Sequence, residues 1–162
     1  MNKLWAPWRS HDLMEKGYKK WDCLFCGLKT CENKEDNLIL NMADMCFTVM
    51  NLYPYNTGHI MIAPYRHTAQ FESLMPEELK SINNELQQAV TILKKVYNPD
   101  GFNIGINLGT AAGAGVAEHL HYHIVPRWTG DSNFITSIGD TRVISVDVER
   151  EYKKLLKPFS EK

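Results

Sequence analysis

The sequence predicts an α+β domain with a mainly antiparallel sheet, on three observations. Apolar, strand-compatible segments stand on both sides of one long amphipathic stretch. That stretch, Pro76 to about Asn98, repeats its apolar residues at three- and four-residue steps. Turn chemistry at Asn51–Gly58 and at Pro99-Asp100-Gly101 separates the runs around it.

Taken in order, residues 1–21 read as an irregular, aromatic-rich arm interrupted by Pro7 and Gly17, which ends in a compact knuckle at Asp22-Cys23-Leu24-Phe25-Cys26. Leu38 to Met50, then the turn, then His59 to Pro64 read as two antiparallel strands. Pro76 followed by Glu77 and Glu78 has the form of a helix start, because proline suits the first turn and carboxylates favour the positive end of the dipole. Leu79, Ile82, Leu86, Ala89, Val90, Leu93, Val96 and Tyr97 make its buried stripe. Phe102 to Leu108 is a strand candidate, and a glycine- and alanine-rich loop from Gly109 to Ala117 leads to a further strand, His119 to Val125, limited by Pro126. Residues 129–162 form a C-terminal extension: a loop to Asp140, a short strand at Val143 to Val146, and a short helix capped by Asp147 with Val148, Tyr152, Leu155 and Leu156 on one face. The 162 residues suit one domain with its own core.

A net charge of -1 from 18 basic and 19 acidic residues supplies no positive field for a long phosphate backbone, so nucleic acid is excluded as the first choice of partner. No apolar run approaches the ~20 residues of a membrane span, and Met1 to Ser10 lacks a signal-peptide core; the expected location is the cytoplasm, with no membrane partner. In a reducing compartment the close pair Cys23 and Cys26 suggests metal or redox chemistry before a structural bridge, while Cys31 and Cys46 read as plain thiols.

His119-Leu120-His121-Tyr122-His123 holds three of the six histidines in five residues. Strand alternation puts all three rings on one surface and turns Leu120, Tyr122 and Ile124 toward a core. The preceding loop contains Gly109, Gly113 and Gly115, whose missing side chains let backbone amides close around phosphate oxygens. A neutral imidazole is a good nucleophile near pH 7, and its neighbours can stabilise charge and donate protons. Imidazole is also the commonest metal ligand, so spacing alone leaves phosphoryl chemistry and a three-histidine metal site equally open.

His119 to Val125 resembles the signature of the histidine triad (HIT) family of nucleotide hydrolases and transferases. The resemblance extends through Asn51-Leu52-Tyr53-Pro54-Tyr55-Asn56-Thr57-Gly58-His59 and Ile62-Ala63-Pro64-Tyr65-Arg66-His67, and covers roughly residues 22–128. Leu4-Trp5-Ala6-Pro7-Trp8-Arg9 and Pro126-Arg127-Trp128 are similar to the bacterial branch that contains diadenosine tetraphosphate phosphorylases, or ATP adenylyltransferases.

The resemblance implies a HIT-like fold with a half-barrel-like antiparallel sheet, one long helix, a short C-terminal helix and a homodimer. It implies cleavage of diadenosine polyphosphates through a covalent nucleotidyl-histidine at His121, with His123 orienting the phosphate. Asn51 falls at a ribose-binding position, Asn107 at a phosphate contact, and His59 at the edge of the same nucleotide site. The family's Gln-Ser or Gln-Thr pair before the first triad histidine is replaced by Gly115 and Val116. Backbone amides from Gly113 to Val116 are then expected to bind phosphate, and the general acid has no assigned side chain. Two thiolates fill half of a tetrahedral zinc shell; the resemblance supplies His67 and His119, giving a structural zinc site of Cys23, Cys26, His67 and His119 with no organic cofactor. The same residues would serve an adenosine phosphoramidate hydrolase or a non-catalytic nucleotide-binding module.

Overall fold

The computed structural model describes residues 2–4, 21–132, 141–143 and 147–161. The arm expected over residues 5–20, most of the loop toward Asp140 and the strand expected over residues 144–146 lie outside the described residues.

The chain forms β1 (Asn2–Leu4), α1 (Leu24–Thr30), β2 (Ile39–Met42), β3 (Cys46–Met50), β4 (Ile60–Pro64), α2 (Pro76–Tyr97), β5 (Gly101–Ile106), β6 (Tyr122–Arg127), β7 (Thr141–Val143) and α3 (Val148–Ser160). β1 and β7 pair in parallel as a small separate ribbon. The main sheet has five strands in the order β2-β3-β4-β6-β5, every pair antiparallel.

Four expectations change. The apolar run at Leu38–Met50 is a hairpin rather than one strand, because exposed Asp44 turns the chain and the Ala43 amide closes on Cys46 O at 2.9 Å. The knuckle continues into the α1 helix, with Cys23 at its N-cap. β6 starts at Tyr122 rather than His119 and runs through Pro126 to Arg127. Pro126 is tolerated because its carbonyl faces the side where β4 has not begun, and there it accepts from Asn56 Nδ2 at 3.0 Å. The strand expected from Val143 already includes Thr141 and Arg142, as β7.

α2 covers one face of the sheet. Its Ile82 and Leu93 are 1% and 0% exposed, and burial of side chains this size contributes about 1.5–3 kcal/mol each. Buried Glu85 accepts from Thr48 Oγ1 at 3.1 Å and Asn41 Nδ2 at 2.9 Å, which pins the β2–β3 hairpin to the helix. α2 begins where the Met75 amide donates to Glu78 Oε2 at 2.8 Å and ends at Asn98, whose positive φ of 46° lets the chain leave before Pro99. On α3, Asp147 caps the Arg150 amide at 3.1 Å, and Val148, Tyr152, Leu155 and Phe159 are buried; the Tyr152 hydroxyl donates to Ile39 O at 3.0 Å, closing α3 on β2. The opposite face of the sheet carries Phe47, whose ring meets Phe25 of α1 at 6.3 Å. The triad lies on this face.

Gly58 ends the turn between β3 and β4 at φ 72°, and a Cβ there would come within 2.9 Å of the Tyr97 ring and 3.3 Å of Pro126. Both the left-handed backbone and the close approach require glycine. Gly58→Ala should therefore lower unfolding free energy by more than about 1 kcal/mol; a urea denaturation midpoint equal to wild type would contradict this account of the turn.

Candidate active site

β4 and β6 build the site between them. Their register pairs Ile60 with Ile124, Met61 with His123 and Ile62 with Tyr122. His59 and His67 flank β4, while His119 and His121 precede the β6 ladder in an extended segment held by Leu120 N–H to Thr68 O at 2.8 Å. The rings form a connected series: His67 meets His119 at 5.2 Å, Phe25 covers His119 at 5.3 Å and His121 at 4.8 Å, His121 meets His123 at 4.9 Å, and His123 meets His59 at 5.2 Å.

Backbone partners decide which nitrogen of His119, His121 and His59 carries the proton. His121 Nδ1 lies 2.9 Å from His119 O, and a carbonyl only accepts, so Nδ1 is protonated and Nε2 presents a lone pair. Burial lowers the His121 pKa, which keeps the ring neutral.

The opposite polarity arises at His59. The Tyr55 amide donates to His59 Nδ1 at 3.0 Å, so the His59 proton sits on Nε2. That nitrogen lies 3.0 Å from His123 Nδ1, which must accept, and the remaining proton of His123 sits on its Nε2. His123 Nε2 is buried with no partner among the described residues.

His59, expected at the edge of the nucleotide site, is wholly enclosed at 0% exposure and lies behind His123. Asn51 is buried beside it: its Oδ1 accepts from the Tyr53 amide at 2.9 Å, and its Nδ2 lies 3.3 Å from both nitrogens of His59, over the ring face. Asn107 follows the last β5–β6 pair, Ile106 with Tyr122, so the continued register sets it opposite His121. Within the glycine-rich loop the Gly113 amide is engaged by Thr110 O at 3.0 Å. Of the loop residues expected to offer amides to phosphate, Gly115 and Val116 remain.

At the other end of the series Cys23, Cys26, His67 and His119 bring one donor atom each to within 4.8 Å of one another. Cys23 Sγ to His119 Nδ1 is 3.4 Å, Cys26 Sγ to His67 Nδ1 is 3.3 Å and Cys26 Sγ to His119 Nδ1 is 3.7 Å. A tetrahedral zinc with bonds of about 2.3 Å to sulfur and about 2.0 Å to nitrogen separates such ligands by about 3.6 Å, so the four residues fit this metal. His119 Nε2 donates to Pro64 O at 2.9 Å, leaving Nδ1 deprotonated toward the other donors, as ligation requires. Arg66 pairs with Glu78 at 2.9 and 2.7 Å and fastens the His67 segment to α2; Lys29 Nζ donates to Tyr65 O at 2.8 Å and fastens α1 to the same segment. Cys31 and Cys46 form no disulfide among the described residues and are not part of this donor group. Among the described residues no helix is long and apolar enough to cross a membrane.

Sequence reasoning missed Phe25, which bridges the two clusters, and the relay through His59. The apolar residue inside Cys23-Leu24-Phe25-Cys26 was the available signal for the first. Nothing short of the folded turn reveals the second.

Burial and the neighbouring imidazoles push His59 down to about 3, and burial with His121 pushes His123 down to about 4. Unfolded histidine titrates near 6.5, so below that pH the unfolded chain binds protons that the folded chain refuses. Stability should thus be full above about pH 6.5 and fall as pH drops toward 4, with a slope of up to about 1.4 kcal/mol per pH unit for each ring. Urea unfolding of wild type and His59→Gln between pH 7 and 5 checks this: the variant should show the shallower slope, and equal slopes would mean the pair is not held neutral.

The HIT domain profile matches residues 32–130. An AP-4-A phosphorylase of Mycobacterium tuberculosis is 39% identical over 96% of this chain and 83% of its own length. The asymmetrical bis(5'-nucleosyl)-tetraphosphatase of Schizosaccharomyces pombe is 34% identical over 51% of this chain and 44% of its own. In structure, a zinc-bound histidine triad family protein from Mycobacterium smegmatis superposes with a TM-score of 0.68 at 24% identity, covering 86% of this chain and 94% of that one. The chain belongs to the HIT domain family.

Proposed function

We propose that the chain is a nucleotidyl transferase that cleaves dinucleoside polyphosphates, diadenosine tetraphosphate foremost, through a covalent nucleotide on His121. One observation carries the reading: a bare lone pair on His121 Nε2 stands beside a His123 N–H that has no acceptor among the described residues. A nucleophile next to an unspent donor suits attack on a phosphorus whose oxygens gain charge. The relatives named for phosphorylase and tetraphosphatase activity support the same enzyme class.

In the proposed reaction His121 Nε2 bonds to the α-phosphorus and the bridging P–O bond breaks, releasing a nucleoside triphosphate. The His123 N–H on Nε2 hydrogen-bonds the phosphoryl oxygen that gains charge, in the place that the absent Gln-Ser pair would otherwise support, and the triphosphate leaves as its anion. An acceptor oxygen then takes the nucleotide and returns His121 to its neutral form. Phosphate as acceptor yields ADP, and water yields AMP. The Gly115 and Val116 amides and Asn107 line the phosphate path in this reading. Asn51 retains a second lone pair on Oδ1 for a ribose hydroxyl.

The donor set at Cys23, Cys26, His67 and His119 would hold a structural zinc, whose four protein ligands leave no open position for substrate water. Its part would be to pin α1, and Phe25 with it, against His121. β5 is an edge strand with Ile104 48% exposed, which suits continuation of the sheet across a homodimer. A cytoplasmic location fits the reduced cysteines.

Product analysis with diadenosine tetraphosphate tests the function. ADP plus ATP with phosphate present identifies a phosphorylase, and AMP plus ATP a hydrolase. No cleavage under either condition, with nucleotide still bound, would refute the proposal. His121→Ala should remove turnover while leaving nucleotide affinity within a modest factor, since it deletes the nucleophile and not the ribose contact; retained turnover would remove His121 from the chemistry.

Cys23→Ser with Cys26→Ser should abolish stoichiometric zinc and lower thermal stability. Activity should fall through displacement of Phe25 and His119, because a shift of about 1 Å at a nucleophile is costly in rate. Wild-type protein purified without chelators and found free of zinc would refute the metal assignment and leave the phosphate chemistry untouched.

A further inference from the structure

We propose that Asn56, latched by Asp131, is a positioning residue that sets the proton-donating polarity of His123. The inference rests on His123 being the donor in the reaction above.

The Tyr55 amide decides the tautomer of His59, so whatever holds that amide governs the relay. The Tyr55 ring rests on the relay itself, 4.6 Å from His59 and 5.9 Å from His123, so it is no anchor independent of those rings. The backbone around it is held from both sides instead. On the upstream side Asn51 Oδ1 accepts from the Tyr53 amide at 2.9 Å, and the Asn51 amide donates to His59 O at 3.0 Å. On the downstream side the His59 amide donates to Asn56 O at 3.2 Å, and the Asn56 side chain leaves the turn altogether: its Nδ2 donates to Pro126 O at 3.0 Å and Asp131 Oδ2 at 2.9 Å.

Asp131 is itself fixed. Arg127 Nε and Nη2 grip its two carboxylate oxygens at 2.6 Å each, and the Trp128 amide donates to Oδ2 at 3.3 Å. Arg127 Nη1 reaches on to Asn103 Oδ1 of β5 at 2.6 Å. The turn after β3 is thereby tied to the end of β6 and to β5 by charge-assisted bonds, which hold geometry better than neutral ones.

The chemical consequence follows from the two-sidedness of neutral imidazole. With the Tyr55 N–H in place, His59 and His123 both carry their protons on Nε2. If the amide withdraws, His59 is free to protonate Nδ1 and accept at Nε2; His123 then donates from Nδ1 toward His59 and turns a bare Nε2 lone pair toward the substrate. That lone pair repels phosphate oxygen and has no proton to give.

Histidine 15N chemical shifts, read in long-range proton–nitrogen spectra, report tautomers without reference to turnover. Wild type should show a single Nε2–H form for His59 and His123. In Asn56→Ala the His123 signals should move toward a mixture of tautomers, and kcat should fall roughly tenfold or more, a part of what one hydrogen bond to the developing charge contributes, with KM changed far less. Asp131→Asn keeps an oxygen for Asn56 but weakens the Arg127 grip; it should shift the same signals in the same direction by less, and it serves if Asn56→Ala does not fold. Wild type already carrying Nδ1–H on His123 would overturn the donor reading itself. Wild type as expected, with both folded variants keeping the single Nε2–H form, would overturn the latch alone.

Discussion

The antiparallel pairing of β4 with β6 is the constraint on which the rest depends. Met61 opposite His123 fixes the register, and histidines at the two ends of β4 then fall beside those of the β6 segment. His59 reaches His123 at one end and His67 reaches His119 at the other. A slip of one residue would send every β6 side chain to the other face and dissolve both clusters at once. The apolar rows beneath, Ile60 with Ile124 and Ile62 with Tyr122, make such a slip expensive because they fill the core under α2.

This arrangement keeps two chemistries apart while coupling them mechanically. His119 and His121 are two residues apart, yet one faces the sulfurs of Cys23 and Cys26 and the other presents a bare Nε2 lone pair. Phe25 is the physical divider, its ring against both. Because Phe25 lies between Cys23 and Cys26, any group that closes the donor set also sets the wall beside His121. An apolar wall favours neutral imidazole over imidazolium, which is the form a nucleophile requires.

How far the sequence could be read depended on whether a feature is local. The periodic stripe from Leu79 to Val96 and the Asp147 cap are local signals, and the helices lie where those signals put them. The turn at Ala43-Asp44-Met45 is short and flanked by apolar residues on both sides, so period and composition do not mark it. Pro126 was weighed as a strand breaker, but the cost of its missing N–H depends on where β4 begins, which is a tertiary fact. The histidine cluster was readable from alternation and family resemblance. The burial of His59 and the engagement of the Gly113 amide were not, since each depends on a contact made only in the folded turn or loop.

The polarity of the site comes from the main chain. Each imidazole nitrogen can donate or accept, so a set of histidines bonded only to one another would populate several tautomers of similar energy. Three groups with no such freedom remove the ambiguity: Pro64 O holds His119, His119 O holds His121, and the Tyr55 amide holds His59. Reversing any one would set two donors or two lone pairs face to face in a buried place, at about 1–3 kcal/mol. Near the middle of that range the wrong tautomer is populated at roughly one part in thirty or less. The bare Nε2 of His121, the Nε2–H of His123 and the deprotonated Nδ1 of His119 are thus fixed before any ligand arrives, by backbone groups whose own positions follow from the register of β4 on β6.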